Sequence, residues 1–269
     1  MEFIVIFKAI LLGIVEGITE FLPISSTGHM ILADEFIKLS SDKSFTTAFE
    51  IIIQLGAILS VVVIYFNKLW PFSGNSEEKK AKWLLWAKVI VAVLPAVILG
   101  FGFHKVIEEK LFNPLTVASA LIFYGIVIIL METFRKKSPA ITEVADVTFK
   151  IALLIGFFQC LAMMPGTSRS AATIIGALLL GLSRPAAAEF SFFLAIPTMA
   201  GASLLKIVKN GLSFNAGQWG IIAIGFVVSF LVAWLVIKLF INYIQKHDFK
   251  IFGYYRIVLG IIVLLILFR

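Results

Sequence analysis

Two short stretches of the chain carry polar side chains whose types and spacing suit phosphate chemistry. The first stretch combines carboxylates, hydroxyls and an imidazole: Glu16, Glu20, Ser25, Ser26, Thr27 and His29. The second stretch places hydroxyls around one guanidinium: Thr167, Ser168, Arg169, Ser170 and Thr173. A base, a nucleophile and anion-binding donors in one place are typical of sites that transfer a phosphoryl group.

The spacing of the first stretch predicts a helix that ends and a second helix that begins. Glu16 and Glu20 are four residues apart, so they share one face of a helix. Pro23 disfavours helix at the residue before it, whereas Ser25 and its neighbours are good N-cap residues. The N-terminus of the second helix therefore offers free N–H groups and a positive dipole end to an anion.

The second stretch repeats this arrangement. Gly166 lets the chain turn tightly, and Ser168 or Thr167 caps the next helix. Arg169 adds a planar fork of donors that matches the oxygens of a phosphate. Two helix starts, one arginine and several hydroxyls together predict a phosphate cage.

The two glutamates need a further explanation, because carboxylates repel a phosphate. Either a divalent cation lies between them and the anion, or at least one carboxyl group is protonated. Oxygen ligands indicate Mg²⁺ or Ca²⁺ rather than Zn²⁺. His29 is a group that can move a proton or attack phosphorus.

The composition places this chemistry in a membrane. Of 269 residues, 60% are hydrophobic and 14% are charged, against about a quarter charged in soluble proteins. No secretory signal peptide is expected, because no basic region precedes the first apolar run. The net charge of +7 suits cytoplasmic loops and an anionic substrate. Nucleic acid is not expected as a partner, because no soluble domain is present to bind it.

The lengths of the apolar stretches predict an all-α polytopic membrane protein. A full span needs about 20 apolar residues, and six stretches have that length: 45–66, 83–103, 115–134, 186–208, 217–241 and 252–268. Four stretches are shorter: 3–15, 27–38, 149–164 and 170–182. The short ones form two pairs, each joined by a proline-containing polar segment. We therefore predict six transmembrane helices and two re-entrant helical hairpins.

Similar residues in the two halves indicate an internal repeat. Gly13 to Glu16 matches Gly156 to Gln159, and with a one-residue gap Pro23 to Ser26 matches Pro165 to Ser168. The chain is thus one membrane domain, 1–269, with repeats over about 1–135 and 148–269. A hairpin followed by three spans reverses the second repeat, which predicts inverted topology with both hairpins near the midplane. The distribution of Lys and Arg favours a site that opens to the extracytoplasmic side.

The stretches Glu16 to His29 and Pro165 to Ser170 resemble the two signature motifs of bacterial undecaprenyl-diphosphate phosphatases, the bacitracin-resistance family called BacA or UppP. The resemblance covers nearly the whole chain, with Ala171 where many members have glycine. It implies a bacterial plasma membrane enzyme that hydrolyses a polyprenyl diphosphate lipid, undecaprenyl diphosphate, to the monophosphate and inorganic phosphate. This reaction recycles the lipid carrier of cell-wall synthesis and confers bacitracin resistance.

The resemblance also implies roles for the polar residues. Glu16 and Glu20 handle a metal ion or act as general base, and Arg169 holds phosphate. Ser26 and His29 are alternative nucleophiles, and we favour Ser26 because the helix N-terminus would stabilise the attacked phosphate, with Glu20 or His29 taking the proton. The remaining hydroxyls are expected to contact phosphate: Ser25, Thr27, Ser168, Ser170 and Thr173.

A transporter or lipid flippase is the rival class, because inverted repeats with broken helices are also transporter architecture. The carboxylate pair beside His29 and the serines favours the enzyme, since binding alone does not require them. The membrane lipid is an expected partner, and a homodimer is left open. Glu50 and Glu189 either line the cavity or bond across the repeats.

Overall fold

All regular secondary structure in the described part of the chain is helical. The computed structural model describes residues 3–111, 113–135, 138–210 and 213–267, and within these ranges the only β contact is an isolated bridge between Ile141 and Leu182. The helices are α1 (Phe3–Thr19), α2 (Ser26–Phe36), α3 (Lys43–Ile64), α4 (Phe66–Leu69), α5 (Ser76–Leu111), α6 (Pro114–Phe134), α7 (Phe149–Cys160), α8 (Arg169–Leu179), α9 (Arg184–Asn210), α10 (Ala216–Lys246) and α11 (Lys250–Leu267).

Six helices within the described ranges are long and apolar enough to cross a membrane. They are α3, α5, α6, α9, α10 and α11, and each overlaps one of the six predicted spans. The prediction of an all-α, multi-pass membrane protein is therefore confirmed. Pro95 and Pro197 lie inside α5 and α9 without ending either helix.

The short apolar stretches form helices that come in two packed pairs. Helix α1 has 17 residues, α2 has 11, α7 has 12 and α8 has 11, all below the usual length of about 20 for a span. Helix α1 packs on α2, and α7 packs on α8. We call the connection between α1 and α2 (residues 20–25) the first joint and the connection between α7 and α8 (residues 161–168) the second joint.

Glycines allow α1 and α7 to pack closely on long helices of the other half of the chain. A Cβ atom at Gly13 would lie 2.8 Å from the carbonyl oxygen of Gly225 in α10. At Gly156 it would overlap the backbone of Ala92 in α5. Backbones approach this closely only where one residue lacks a side chain. These contacts fix the short helices, and with them the joints.

The substitution Gly156→Ala is expected to destabilise the protein by about 1–3 kcal/mol, because the added methyl group overpacks the contact between α7 and α5. Gly201→Ala in α9 is the matched control, since its added methyl group meets nothing within 4 Å. Thermal unfolding in detergent should show a lower midpoint for the first variant alone. Equal midpoints would contradict the close helix approach.

An ion pair with a buried carboxylate ties three helices together. Arg184 Nε and Nη2 donate to the two carboxylate oxygens of Glu132 at 2.8 and 2.6 Å. The backbone N–H of Phe249 donates to Glu132 Oε1 at 3.1 Å. The pair thus joins α6, α9 and the start of α11. The sequence did not identify Glu132, because its partners lie far away in the chain.

Glu189 is bonded across the two halves, which was one of the two alternatives for this residue. Lys68 Nζ donates to Glu189 Oε1 at 2.8 Å. Lys68 belongs to α4 and Glu189 to α9, so the ion pair links helices from different halves of the chain. Glu189 therefore has a structural role at this contact.

Candidate active site

The two joints end in the same unusual helix cap. Helix α2 follows Ser25, whose Oγ accepts a hydrogen bond from Gly28 N, and α8 follows Ser168, whose Oγ accepts from Ala171 N, both at 3.3 Å. Ser25 has φ 73° and Ser168 has φ 72°, and no other non-glycine residue in the described ranges has positive φ. Such backbone costs about 1–3 kcal/mol per residue and persists mainly at functional sites. The predicted helix starts are confirmed.

The caps correct the alignment expected from the sequence. The one-residue gap paired Ser26 with Ser168, but the caps pair Ser25 with Ser168 and the first helical residues Ser26 with Arg169. Without a gap, Gly13 with Gly156 and Glu16 with Gln159 share this spacing. The conformation of the caps, which the sequence does not reveal, decides the register.

Glu20, Ser26 and Arg169 meet in one cluster. Ser26 Oγ donates to Glu20 Oε2 at 2.7 Å, and Arg169 Nη2 donates to Glu20 Oε1 at 2.9 Å. The side chains of Arg169 and Glu20 are 12% and 5% exposed. A hydroxyl bonded to a carboxylate is a common arrangement for an activated nucleophile. The structure therefore brings the predicted nucleophile Ser26, the candidate base Glu20 and the predicted phosphate ligand Arg169 together from the two halves of the chain.

Arg169 is held from several directions. Its Nη1 donates to the carbonyl oxygen of Ser191 at 3.1 Å, and its Cζ lies 5.8 Å from the centre of the Phe21 ring. Thr173 Oγ1 bonds Ser191 Oγ at 2.6 Å and the carbonyl oxygen of Arg169 at 2.9 Å. Thr173 is fully buried and thus supports Arg169 and Ser191. Its predicted contact with phosphate stays a prediction.

The other predicted hydroxyls lie at the helix starts. Ser170 Oγ donates to the carbonyl oxygen of Leu22 at 2.9 Å, which links the two joints. Because that bond uses the Ser170 hydrogen, Ser168 is the donor in its 3.0 Å contact with Ser170 Oγ. Thr27 is half-buried in the first turn of α2. Thr167, the other candidate cap, is buried with its hydroxyl unpaired among the described residues.

Glu16 lies in the last turn of α1, four residues before Glu20 of the first joint, and is only 2% exposed. Its Oε1 is buried and has no hydrogen-bond partner among the described residues. Within the same residues, no three His, Cys, Asp or Glu side chains form a group suited to a metal ion. The protein therefore offers two adjacent carboxylates, and any further ligands would come from the bound substrate or water.

His29 has different partners from Ser26. Its Nδ1 contacts the carbonyl oxygen of Ser25 at 2.8 Å and its Nε2 contacts the hydroxyl of Tyr255 at 2.7 Å. The two rings are stacked with centroids 5.5 Å apart. Both ring nitrogens are thus occupied, and Ser26 is bonded to Glu20 instead. The structure pairs the first nucleophile candidate, and not the second, with a carboxylate.

Arg256 was not among the site residues predicted from the sequence. This arginine lies in α11 and is fully buried, and it donates to carbonyl oxygens of Pro23 and Gly166. The available signal was one arginine inside the apolar run 252–268, since ionisable residues within a membrane are usually functional. Tyr255, the neighbour that bonds His29, was missed as well, because nothing local in sequence connects the two.

The fold and the site define a polytopic membrane protein whose polar centre lies where two short helices begin. The family model described as bacitracin resistance protein BacA matches residues 9–262. The chain belongs to this family.

Relatives with full-length similarity carry one name. An undecaprenyl-diphosphatase 1 of Clostridioides difficile (strain 630) is 58% identical over 96% of this chain and 95% of its own length. An undecaprenyl-diphosphatase of Lacticaseibacillus paracasei is 55% identical over 98% of both chains. Another from Enterococcus faecalis is 53% identical over 99% of this chain and 98% of its own length.

Proposed function

We propose that the protein is a membrane phosphatase that hydrolyses undecaprenyl diphosphate to undecaprenyl phosphate and inorganic phosphate. The family and the names of relatives more than half identical over their full length support this activity. The observation that carries it is the bond from Ser26 to Glu20, with Arg169 on the other oxygen of that carboxylate. In the cell the reaction would recycle the lipid carrier of cell-wall synthesis and confer bacitracin resistance.

In the first chemical step, Ser26 Oγ attacks the terminal phosphorus of the diphosphate. Its proton passes to Glu20 Oε2, 2.7 Å away. The bond between this phosphorus and the bridging oxygen breaks, and the lipid monophosphate leaves with the electron pair. Glu20 gives the proton to the departing oxygen and regains its charge. The product on the protein is a phosphoserine.

In the second step, water attacks the phosphoserine and Glu20 accepts a proton from it. The bond between Ser26 Oγ and phosphorus breaks, inorganic phosphate leaves, and the proton returns to Ser26. The transferred phosphoryl group lies at the starts of α2 and α8, whose free N–H groups and dipoles favour negative charge. Arg169 Nε is buried and unpaired among the described residues, so it can donate to phosphate while both Nη atoms keep their partners.

The predicted contacts of Ser25, Thr27, Ser168 and Ser170 with phosphate belong to the same proposal. All four lie at or next to the caps, where their hydroxyls line the two helix starts. His29 is bonded to Tyr255 and is not the nucleophile in this proposal. The base is Glu20.

Glu16 and Glu20 would hold a divalent cation, Mg²⁺ or Ca²⁺. The buried, unpaired Oε1 of Glu16 supports this assignment, because a carboxylate oxygen is the ligand that hard cations prefer. When bound, the cation would neutralise the charge of the diphosphate and orient it. Glu16 thus has no part in the proton transfers.

We also propose that the protein is built from two inverted repeats, 1–135 and 148–269, each with a re-entrant hairpin and three spans. Exchanging the two halves exchanges α1 with α7 and α5 with α10. The packing of α1 on α10 then corresponds to the packing of α7 on α5, and Gly13 corresponds to Gly156 at these contacts. The shared caps at Ser25 and Ser168 support the same relation.

The site is proposed to open to the extracytoplasmic side of the bacterial plasma membrane. Basic side chains lie at the ends of spans: Arg135 follows α6 and bonds the carbonyl oxygen of Leu182, and Arg184 begins α9. Basic residues at span ends favour the cytoplasmic face. The first joint, which connects α1 and α2, would then enter from the opposite face.

Purified protein in detergent is expected to release phosphate from undecaprenyl diphosphate in the presence of Mg²⁺. Chelation with EDTA should lower the rate at least about 100-fold, because the diphosphate charge is no longer neutralised, and added Mg²⁺ or Ca²⁺ should restore it. A colorimetric phosphate assay measures both effects, with undecaprenyl phosphate as the unreactive control substrate. Clear binding of the lipid without any phosphate release would instead favour a flippase.

A further inference from the structure

A positive charge is buried in α11 within hydrogen-bond distance of both joints. Arg256 is the largest of the fully buried side chains in the described part of the molecule, with 0% exposure. A charged group within a membrane protein is costly unless its environment compensates for it. Arg256 has no ion pair among the described residues; the centre of the Tyr124 ring lies 6.0 Å from its Cζ. Backbone carbonyl oxygens compensate for the buried charge of Arg256 instead.

These carbonyls belong to both joints. Arg256 Nη1 donates to the carbonyl oxygen of Pro23 in the first joint at 3.2 Å. Arg256 Nη2 donates to the carbonyl oxygen of Gly166 in the second joint at 2.8 Å, with Ala120 of α6 at 3.5 Å. Pro23 precedes the Ser25 cap by two residues, and Gly166 precedes the Ser168 cap by two residues. One guanidinium therefore holds equivalent positions of the two joints.

Such a link matters because the reacting groups are divided between the joints. Glu20 is the first residue of the first joint and Ser26 directly follows that joint, whereas Arg169 directly follows the second. Two side-chain bonds in addition to Arg256 hold these groups together, from Arg169 to Glu20 and from Ser170 to the carbonyl oxygen of Leu22. Both bonds involve residues that the proposed reaction uses. Arg256 binds only backbone atoms, so its link persists while phosphate is bound and transferred.

We propose that Arg256 is a positioning residue that holds the two joints at the spacing required for phosphoryl transfer. The inference rests on the proposed function of Glu20, Ser26 and Arg169. Arg256 is fully buried and both of its Nη groups are engaged by carbonyl oxygens, so it acts through these residues and not by contact with substrate. Its Nε is buried as well and has no partner among the described residues. A misplacement of about 1 Å in such a site lowers turnover on the order of 100-fold.

The test compares Arg256→Met, which removes the donors, with Arg256→Lys, which keeps the charge but lacks the fork that spans two carbonyls. Turnover should fall about 100-fold in the first variant and about 10-fold in the second, per folded molecule, with KM within about threefold of the wild type. Hydrogen exchange should be faster at Thr167 N–H, which is bonded to the Met164 carbonyl oxygen. If Arg256→Met does not fold, the turnover, KM and hydrogen exchange of Arg256→Lys decide whether the proposal holds.

Glu132→Gln is the matched control, since it weakens another buried charge contact that touches the start of α11. It should lower the unfolding temperature while kcat and exchange at Thr167 stay unchanged. The proposal is overturned by a normal kcat in Arg256→Lys, by a rise in KM alone, or by a loss of kcat that the control shares. Absence of phosphate release by the wild type would refute the proposed function instead, and the exchange measurement would still test the link.

Discussion

Replacement of Glu20 with glutamine is expected to lower turnover by about 10³- to 10⁴-fold. Glutamine keeps the size of the side chain and an acceptor for Ser26, but it cannot take the proton from the attacking hydroxyl. General base catalysis contributes about 10²- to 10⁴-fold. The variant also loses the charge that holds Arg169 Nη2 at 2.9 Å. The expected effect lies at the upper end of this range, because the general base and the charge that holds Arg169 are lost together.

The measurement is steady-state phosphate release from undecaprenyl diphosphate at saturating Mg²⁺. Glu132→Gln is the isosteric control, because Glu132 is also a buried glutamate paired with an arginine but lies outside the proposed site. Its kcat per folded molecule should remain within about twofold of the wild type. A Glu20→Gln enzyme that keeps more than a tenth of the wild-type rate would remove Glu20 from the role of base.

The substitution Glu16→Gln distinguishes the proposed role of Glu16 from that of Glu20. Because Glu16 is assigned to the cation alone, this variant should need more Mg²⁺ for half-maximal activity, and high Mg²⁺ should recover much of the loss. Glu20→Gln should not recover in this way. This contrast distinguishes a ligand from a base even though the two residues are only four apart in the chain.

The helices could be predicted from the sequence because their causes are local. The length and apolarity of each stretch decide whether it spans a membrane, so all six long helices fall where the stretches 45–66 to 252–268 predicted them. Proline and capping residues also act locally, and they therefore indicated the positions of both joints. The short helices α1 and α8 were likewise expected within a few residues of their observed ends.

The remaining features depend on contacts between distant parts of the chain. The contacts of Arg256 could not be predicted, because its partners Pro23 and Gly166 lie 233 and 90 residues away. The contact of His29 with Tyr255 spans 226 residues. The caps at Ser25 and Ser168 required backbone angles, which residue types alone do not determine. The polar motifs could therefore be located from sequence, but the network that holds them could not.

Replacement of Ser26 with alanine is expected to have the largest effect, a loss of turnover on the order of 10⁴- to 10⁶-fold. Removal of a nucleophile leaves only the binding and electrostatic contributions of the site. Ser26 lies at the first position of α2, 2.7 Å from its proposed base. The variant should still bind the lipid, because Arg169 and both helix starts are retained. Ser60→Ala is the matched control, since Ser60 is a buried serine bonded to its own helix at Ala57.

The identity of the covalent intermediate provides the decisive measurement. Substrate with a labelled terminal phosphate, followed by a rapid quench, should trap a phosphoenzyme that survives acid and is cleaved by base, as expected for phosphoserine. Ser26→Ala should abolish this species, whereas His29→Gln should retain it, because His29 bonds Tyr255 and the Ser25 carbonyl oxygen instead of the reacting hydroxyl. An acid-labile species that persists in Ser26→Ala and disappears in His29→Gln would transfer the role of nucleophile to His29.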